Sequence, residues 1–474
     1  MHRCLTIPEL LALIAEWLHA TLEDSLDSLD EDSVSYDTST QTQNSLVNFA
    51  STCRAFDERA LALSLFGVPS VDVFLAGGLA MGERRIPPIQ QDWDAFLRNS
   101  RRVRSIEDGE MSKEAYEMLF LHRPVPHLFP RLKTLTLAVK NGAWGPPFAD
   151  LLIGPRLKDL SITSTTESSL LAILDKIHST ADTMLSISLK LCNSQTLQML
   201  REPRHDIFKA IKFSSGVSKP FTALQTLILG VNDLSSSSVT ALLKAITSPQ
   251  LERISISFME QSSPQDLKLL FEAATSHRRL ESFGVCMSGQ WDSFQDGPDM
   301  EVVDIEILRP LLRLSLQVLR ISDIAVRLNS EDIPEIARAL PSVRVLVLES
   351  KGNQIPASPP TLRDLVHFAK HCPSIEILDI WVDATDVDTD ETRPGMGHEG
   401  KSLTNWTPGW SPISQPEYVA AFLSDVFPNV QIVQPWEYRP YLNKAVVKMW
   451  YDVAGWVVFL AKIRKQERRG HYKV

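Results

Sequence analysis

Cysteine is scarce in this chain: five among 474 residues (Cys4, Cys53, Cys192, Cys286 and Cys372), odd in number, far apart and never spaced as CxxC. That pattern excludes a disulfide framework and a structural zinc site of the usual ligand spacing, and it favours a reducing compartment, cytoplasm or nucleus. A basic excess is lacking too. The 48 Lys and Arg against 58 Asp and Glu leave a formal charge of −10, so no nucleic-acid partner is expected. Long apolar runs are also missing. Residues 1–20 are interrupted by Pro8, Glu9 and Glu16 and end in no small-residue cleavage site. Residues 453–461 are nearly all apolar, but nine residues do not span ~30 Å of hydrocarbon, and Lys448 and Asp452 bar an extension. No membrane partner is expected either.

The acids that are present are concentrated. Seven of them (Glu23, Asp24, Asp27, Asp30, Glu31, Asp32, Asp37) lie between residues 20 and 53 with no Lys or Arg, and six more lie unopposed in 379–391. Removing those thirteen leaves +3.

One phrase recurs along the middle of the chain: a Leu-like residue, two variable ones, a second Leu-like residue, one variable, then a third. It reads Leu132-Leu135-Leu137, Leu157-Leu160-Ile162, Met184-Ile187-Leu189, Leu224-Leu227-Leu229 and Leu251-Ile254-Ile256. It continues as Leu280-Phe283-Val285, Leu316-Leu319-Ile321, Val343-Leu346-Leu348 and Ile375-Leu378-Ile380, with weaker copies at Val103-Ile106 and Val430-Val433. Five of the eight spacings from Leu132 onward fall in 25–29 residues, and the longer ones leave room for loops. The alternation within each phrase is that of a half-buried strand. Residues 168–178, 237–247, 264–276 and 361–371 between phrases carry apolar residues at helical spacing. A unit of one strand and one helix cannot bury its apolar side alone, whereas stacked units can.

The phrase is similar to that of the leucine-rich repeat family. Leu224-Gln-Thr-Leu227-Ile-Leu229-Gly-Val-Asn232-Asp-Leu234 fits LxxLxLxxNxL throughout, and Cys192 supplies the Cys variant of the Asn slot. The resemblance covers about residues 100–435 and implies an α/β solenoid with a parallel concave sheet and convex helices. The repeat region is delimited at 62–435, with an insertion at 382–412 and a C-terminal capping helix and basic tail at 436–474.

Ahead of the repeats, Ile7, Leu10, Leu11, Ile14 and Leu18 share one helical face, with Pro8 and Glu9 suited to a first helical turn. Residues 45–61 form a second amphipathic stretch with Leu46, Phe49, Ala50, Cys53 and Phe56. Two short helices bury too little to stand alone, so they need a partner or the end of the solenoid. The residues Ile7, Pro8, Glu9, Leu10, Leu11, Ile14, Leu46, Ala50, Cys53, Arg54 and Phe56 resemble an F-box, a small all-α module that docks on the Skp adaptor of cullin-RING ubiquitin ligases. The match departs from the family in one respect: 21–44, rich in Asp, Ser and Thr, separates the halves and reads as a disordered insertion. The resemblance implies a module over 1–61, a Skp-type adaptor and through it a cullin as partners, and a protein substrate captured by the repeats. The other readings are that 1–61 caps the first repeat, and that the chain is an interaction scaffold with no ligase link.

Strand residues flanking the buried positions point to the concave face. In the first half they are small or hydroxylic (Thr134, Thr136, Asp159, Ser161, Ser186, Ser188), and in the second half they include Arg320, Val345, Val347, Ile377, Asp379 and Trp381. An apolar row with an Arg and a Trp suits partner binding, which makes these six the candidate substrate-binding residues. The competing reading is that 382–412 covers the row with Trp406 and Trp410.

Three other motifs lack the context their chemistry needs. Residues 395–402 match GxxxxGK[ST], but no strand runs directly into the loop and Leu403-Thr-Asn-Trp406-Thr-Pro408 after it is no helix. Asp386, Asp388 and Asp390 are spaced like the start of an EF-hand loop, yet Glu391 stands where glycine is needed. His367 and His371 are one helical turn apart beside Cys372, with no further ligand apparent. No nucleophile and base are arranged for catalysis, so neither enzyme activity nor a cofactor or metal is expected.

Overall fold

The computed structural model describes residues 67–70, parts of 93–101, 103–108, 121, 123–139, 152–164, 184–191, 221–231, 236–258, 262–287, 302–348, 356, 358–387, 395–435 and 444–470. The F-box-like residues 7–56, the acidic stretch 21–44 and the expected helix at 168–178 lie outside these.

The chain divides into two compact units, Met1–Gln195 and Thr196–Val474. Unit 1 holds five strands: β1 (Gly67–Ser70), β2 (Ser105–Asp108), β3 (Thr134–Val139), β4 (Asp159–Ser164) and β5 (Ser186–Leu191). Each pairs in parallel with the next in the chain. Unit 2 holds eight: β6 (Thr226–Val231), β7 (Arg253–Phe258), β8 (Ser282–Met287), β9 (Val318–Ser322), β10 (Val345–Leu348), β11 (Ile377–Ile380), β12 (Asn405–Gly409) and β13 (Ile432–Pro435). Again every neighbour is parallel and consecutive.

Helices alternate with the strands of unit 2: α1 (Ser236–Ala245), α2 (Pro264–Ala274), α3 (Ile305–Leu308), α4 (Asp332–Ala339), α5 (Val366–His371), α6 (Pro416–Val426) and α7 (Lys444–Gly470). This all-parallel alternation of strand and helix is the leucine-rich repeat architecture.

Numbering the phrase 1 to 6 makes its physics plain. Position 1 falls just before each strand and is no more than 2% exposed in every described copy, from Val103, Leu132, Leu157 and Met184 to Leu224, Leu251, Leu280, Leu316, Val343, Ile375 and Val430. Position 4 is equally buried in Leu135, Leu160, Leu227, Ile254, Phe283, Leu319, Leu346 and Leu378. At about 1.5–3 kcal/mol for each fully buried side chain, these stacked columns are what hold the rungs together. Position 2 adds a backbone clamp: its carbonyl accepts two N–H groups from the next strand. Lys158 and Asp159 both donate to Lys133 (2.8 and 2.9 Å), and Arg344 and Val345 both donate to Gln317 (2.7 and 3.1 Å).

The helices close the other side of the repeats. Ser263 caps α2 by accepting the Asp266 N–H at 3.1 Å, Pro264 begins the helix, and Leu267, Leu270, Phe271 and Ala274 are buried. Phe271 meets Phe283 of β8 edge to face, with centroids 5.6 Å apart, which locks the helix to its own strand.

One boundary read from the sequence needs correcting. The segment 382–412, expected as an insertion, contains β12, which pairs with β11 on one side and β13 on the other. Leu403, Trp406 and Pro408 occupy positions 1, 4 and 6 of a further phrase, 28 residues after Ile375, and all three are buried. The phrase escaped notice because Trp and Pro stand where Leu-like residues do elsewhere.

Candidate interaction surface

Positions 3 and 5 of the phrase lie on the strand face away from the buried columns, and the register places the candidate residues on two rungs. Val318, Val345, Ile377 and Asn405 are successive partners across β9–β12, and so are Arg320, Val347, Asp379 and Thr407. Five of the six predicted residues are therefore brought side by side, about 4.8 Å from strand to strand. Asn405 and Thr407 belong to the same rungs and were missed because β12 was not recognised.

The exposure of the row is uneven. Arg320 is exposed, whereas Val345, Ile377 and Asp379 are half-buried. Val347, expected to be accessible, is only 7% exposed. Its short side chain lies between Arg320 and Asp379 on one rung, and a small residue flanked by longer ones is shielded from water.

Trp381 lies just past β11, half-buried, and its ring packs against Trp410 with centroids 6.4 Å apart and planes at 51°. The Trp381 indole N–H is buried with no hydrogen-bond partner, a cost of about 1–3 kcal/mol. Trp406 is not over the row at all. It sits in the buried column between Leu378 and Val433 and meets Trp450 of α7 edge to face at 5.3 Å. The chain after β12 runs alongside the chain after β11: Val382 N–H donates to Ser411 Oγ at 2.8 Å and Ala384 N–H to the Pro412 carbonyl at 2.9 Å. Of the two tryptophans expected to cover the row, Trp410 is the one whose ring packs on Trp381 at the end of the row.

The C-terminal helix closes unit 2. Trp450, Val453 and Val457 of α7 are buried, and the Trp450 indole N–H donates to the Ser411 carbonyl at 2.9 Å. Farther along, Arg464 donates to Asp425 at 2.7 Å and to the Ala421 carbonyl at 3.1 Å, which ties α7 to α6.

The phosphate-loop match is engaged in packing. Gly395 N–H donates to Asp425 and Gly400 N–H to the Val426 carbonyl, so two of the amides that would face an anion are already used. A Cβ on Gly400 would lie 2.6 Å from the Phe427 ring, so this glycine serves a close approach, and β12 follows Ser402 where a helix is required. His367 and His371 stack in parallel at 6.3 Å, but Cys372 turns inward and donates to the carbonyls of Ala337 and Leu340. Burial pushes the Cys372 thiol up to about 12, which keeps it protonated and unsuited to bind metal. Desolvation lowers the pKa of both histidines. Among the described residues no three His, Cys, Asp or Glu side chains converge on a metal-sized site. Asp388 and Asp390 of the EF-hand-like stretch lie outside the described residues. No described helix is long and apolar enough to cross a membrane.

No known protein family matches the chain, and no curated protein matches it. Among solved structures, the Rad7 and Elc1 complex of yeast is similar at 16% identity with a TM-score of 0.36, over 83% of this chain and 92% of that one. A protein from Bacteroides fragilis is similar at 16% identity with a TM-score of 0.32, over 72% of this chain and 82% of that one. Neither likeness is close enough to bear on function.

Proposed function

We propose that the chain is a recognition subunit: the row on β9–β12 captures a protein substrate, and the F-box-like residues 7–56 hold a Skp-type adaptor and through it a cullin. The observation that carries substrate capture is the rung Arg320–Val347–Asp379–Thr407 beside Val345–Ile377. It sets an exposed cation, a carboxylate and an apolar strip on the strand face away from the core. Such a mixture of charge and half-buried apolar surface suits a protein interface. The adaptor half rests on the sequence resemblance, with Leu10 and Leu11 as its central apolar contacts. The mechanism is proximity: a substrate held by the repeats is kept at high effective concentration near the transfer site of the ligase.

Two pull-downs test the halves separately. Replacing Leu10 and Leu11 by Asp is expected to abolish co-purification with a Skp-type adaptor while leaving the repeats folded. Wild-type protein that fails to bind the adaptor removes the ligase link and leaves the scaffold reading. Arg320→Glu with Ile377→Asp is expected to lose captured proteins and keep the adaptor, and unchanged capture would move the substrate site elsewhere.

A further inference from the structure

The edge of unit 1 where its strands begin carries a basic ladder that belongs to neither surface above. At position 2 of successive phrases stand Arg104, Lys133 and Lys158, and immediately before position 1 stand Arg131 and Arg156. Arg131, Lys133, Arg156 and Lys158 are all exposed, and none has an ion-pair partner among the described residues. The doubled backbone bonds from Lys133 and Thr134 to Arg104, and from Lys158 and Asp159 to Lys133, hold these positions in register. The cations therefore repeat at the strand spacing of about 4.8 Å.

Like charges on facing rungs repel, and later rungs of unit 2 avoid this, although Glu252 and Glu281 stand on adjacent rungs there. In unit 2 the same position holds Glu281 beside Gln317 and Arg344 beside Glu376. Gln317 donates to Glu281 at 3.0 Å, and Arg344 donates to both Glu376 oxygens at 3.0 Å. The residue before position 1 is Ser in four consecutive phrases there, at Ser315, Ser342, Ser374 and Ser402. The Leu132 and Leu157 phrases of unit 1 have cations at both positions with no neutralising column between them among the described residues, whereas the Met184 phrase has Leu185 at position 2. The one acid at the start of β3 or β4 is Asp159, which accepts the Thr134 hydroxyl at 3.4 Å.

We propose that this edge is a docking surface for a carboxylate-rich segment of a partner protein, whose side chains supply the counter-charges that Arg131, Lys133, Arg156 and Lys158 lack. No aromatic residue occupies positions 0 or 2 of these phrases, so nucleobases would find no stacking platform. Short-range pairing with carboxylates fits Arg and Lys at this spacing.

The test uses the full chain and a fluorescein-labelled peptide of about a dozen glutamates, followed by anisotropy at low salt and at rising salt. The wild type is expected to bind, with affinity falling steadily as salt rises. Lys133→Glu with Lys158→Glu is expected to lose about tenfold or more. Lys133→Gln with Lys158→Gln, which leaves the exposed edge uncharged without reversing it, is expected to lose a smaller factor at an unchanged melting temperature. Arg344→Glu in unit 2 is expected to change nothing. The proposal is overturned by absence of wild-type binding at low salt, or by equal affinity in the charge-reversed variant. It is also overturned if a single-stranded oligonucleotide displaces the peptide at lower concentration, which would make the edge a nucleic-acid site. Finally, much tighter peptide binding after the acids of 23–37 are changed to amides would show that the chain's own acidic stretch is the occupant.

Discussion

Around position 1 of the phrase, unit 1 reads Arg131-Leu132-Lys133 and Arg156-Leu157-Lys158, whereas unit 2 reads Gln250-Leu251-Glu252, Ser342-Val343-Arg344 and Ser374-Ile375-Glu376. The middle residue is buried in all five, while its neighbours are both basic in the two unit 1 phrases and in none of the three from unit 2. The strand faces diverge in the same way. Positions 3 and 5 hold Thr134 and Thr136, Asp159 and Ser161, Ser186 and Ser188 in unit 1, against Val318 and Arg320, Val345 and Val347, Ile377 and Asp379 in unit 2. Burial constrains one column to a narrow set of apolar shapes, while the columns beside it are left to whatever each unit meets. The difference locates two separate surfaces: a charged edge on unit 1 and a mixed apolar row on unit 2.

The largest effect that would sharpen this contrast is at the closing helix of unit 2. Trp450→Ala removes a fully buried ring and its bond to Ser411, at a cost of about 3–5 kcal/mol. Hydrogen exchange should quicken in β12 and β13 and stay unchanged in β3 and β4. Equal quickening in β3 and β4 would mean that the two units unfold as one.

The shared column comes next. Leu160→Ala in unit 1 and Leu346→Ala in unit 2 should each cost about 2–5 kcal/mol by denaturant titration, because both are almost fully buried at position 4. Ser161→Ala, one residue along on the other face, should stay within about 0.5 kcal/mol. A large cost at Ser161 would break the division into a buried and a free column.

A pH titration separates the units more gently. His277 of unit 2 is 5% exposed, its Nε2 lies 3.2 Å from the Leu243 carbonyl, and desolvation holds its pKa below the ordinary 6.5 despite that bond. With the folded pKa depressed, the unfolded chain binds the proton first as pH falls below 6.5. The histidine's contribution is therefore present above that pH and is lost as pH falls through the folded value. The melting temperature of wild-type protein should drop over this window, and His277→Gln should flatten that drop.

The smallest effect tests the neutralised column of unit 2. Glu376→Ala breaks the exposed pair with Arg344 and should cost less than about 1 kcal/mol, disappearing at high salt. A salt-independent loss would mean that Glu376 acts through packing.

Much of this architecture is legible in the sequence. All nine full phrases from Leu132 to Ile380 fall on strands β3–β11, and the weaker copies at Val103 and Val430 fall on β2 and β13. The helix expected at 264–276 begins at Pro264, where Ser263 provides the cap. What escaped notice did so for physical reasons. Trp406 and Pro408 fill the strand positions of β12, and a pattern built on aliphatic residues passes over them although the core accepts both. Of the candidate row, the register confirms adjacency for Arg320, Val345, Val347, Ile377 and Asp379, but shielding of Val347 and the packing of Trp410 on Trp381 arise from neighbours distant in the chain.

The periodic spacing of leucine-like residues by itself determined that the chain would stack parallel strands, because a strand and helix that bury one side only have no other way to cover it. Only the tertiary structure decided which of the remaining residues face one another. Register places Arg344 against Glu376 but Lys133 against Lys158, 25 residues apart in the chain, and the energy of such pairs depends on a separation of a few ångströms that linear order does not contain.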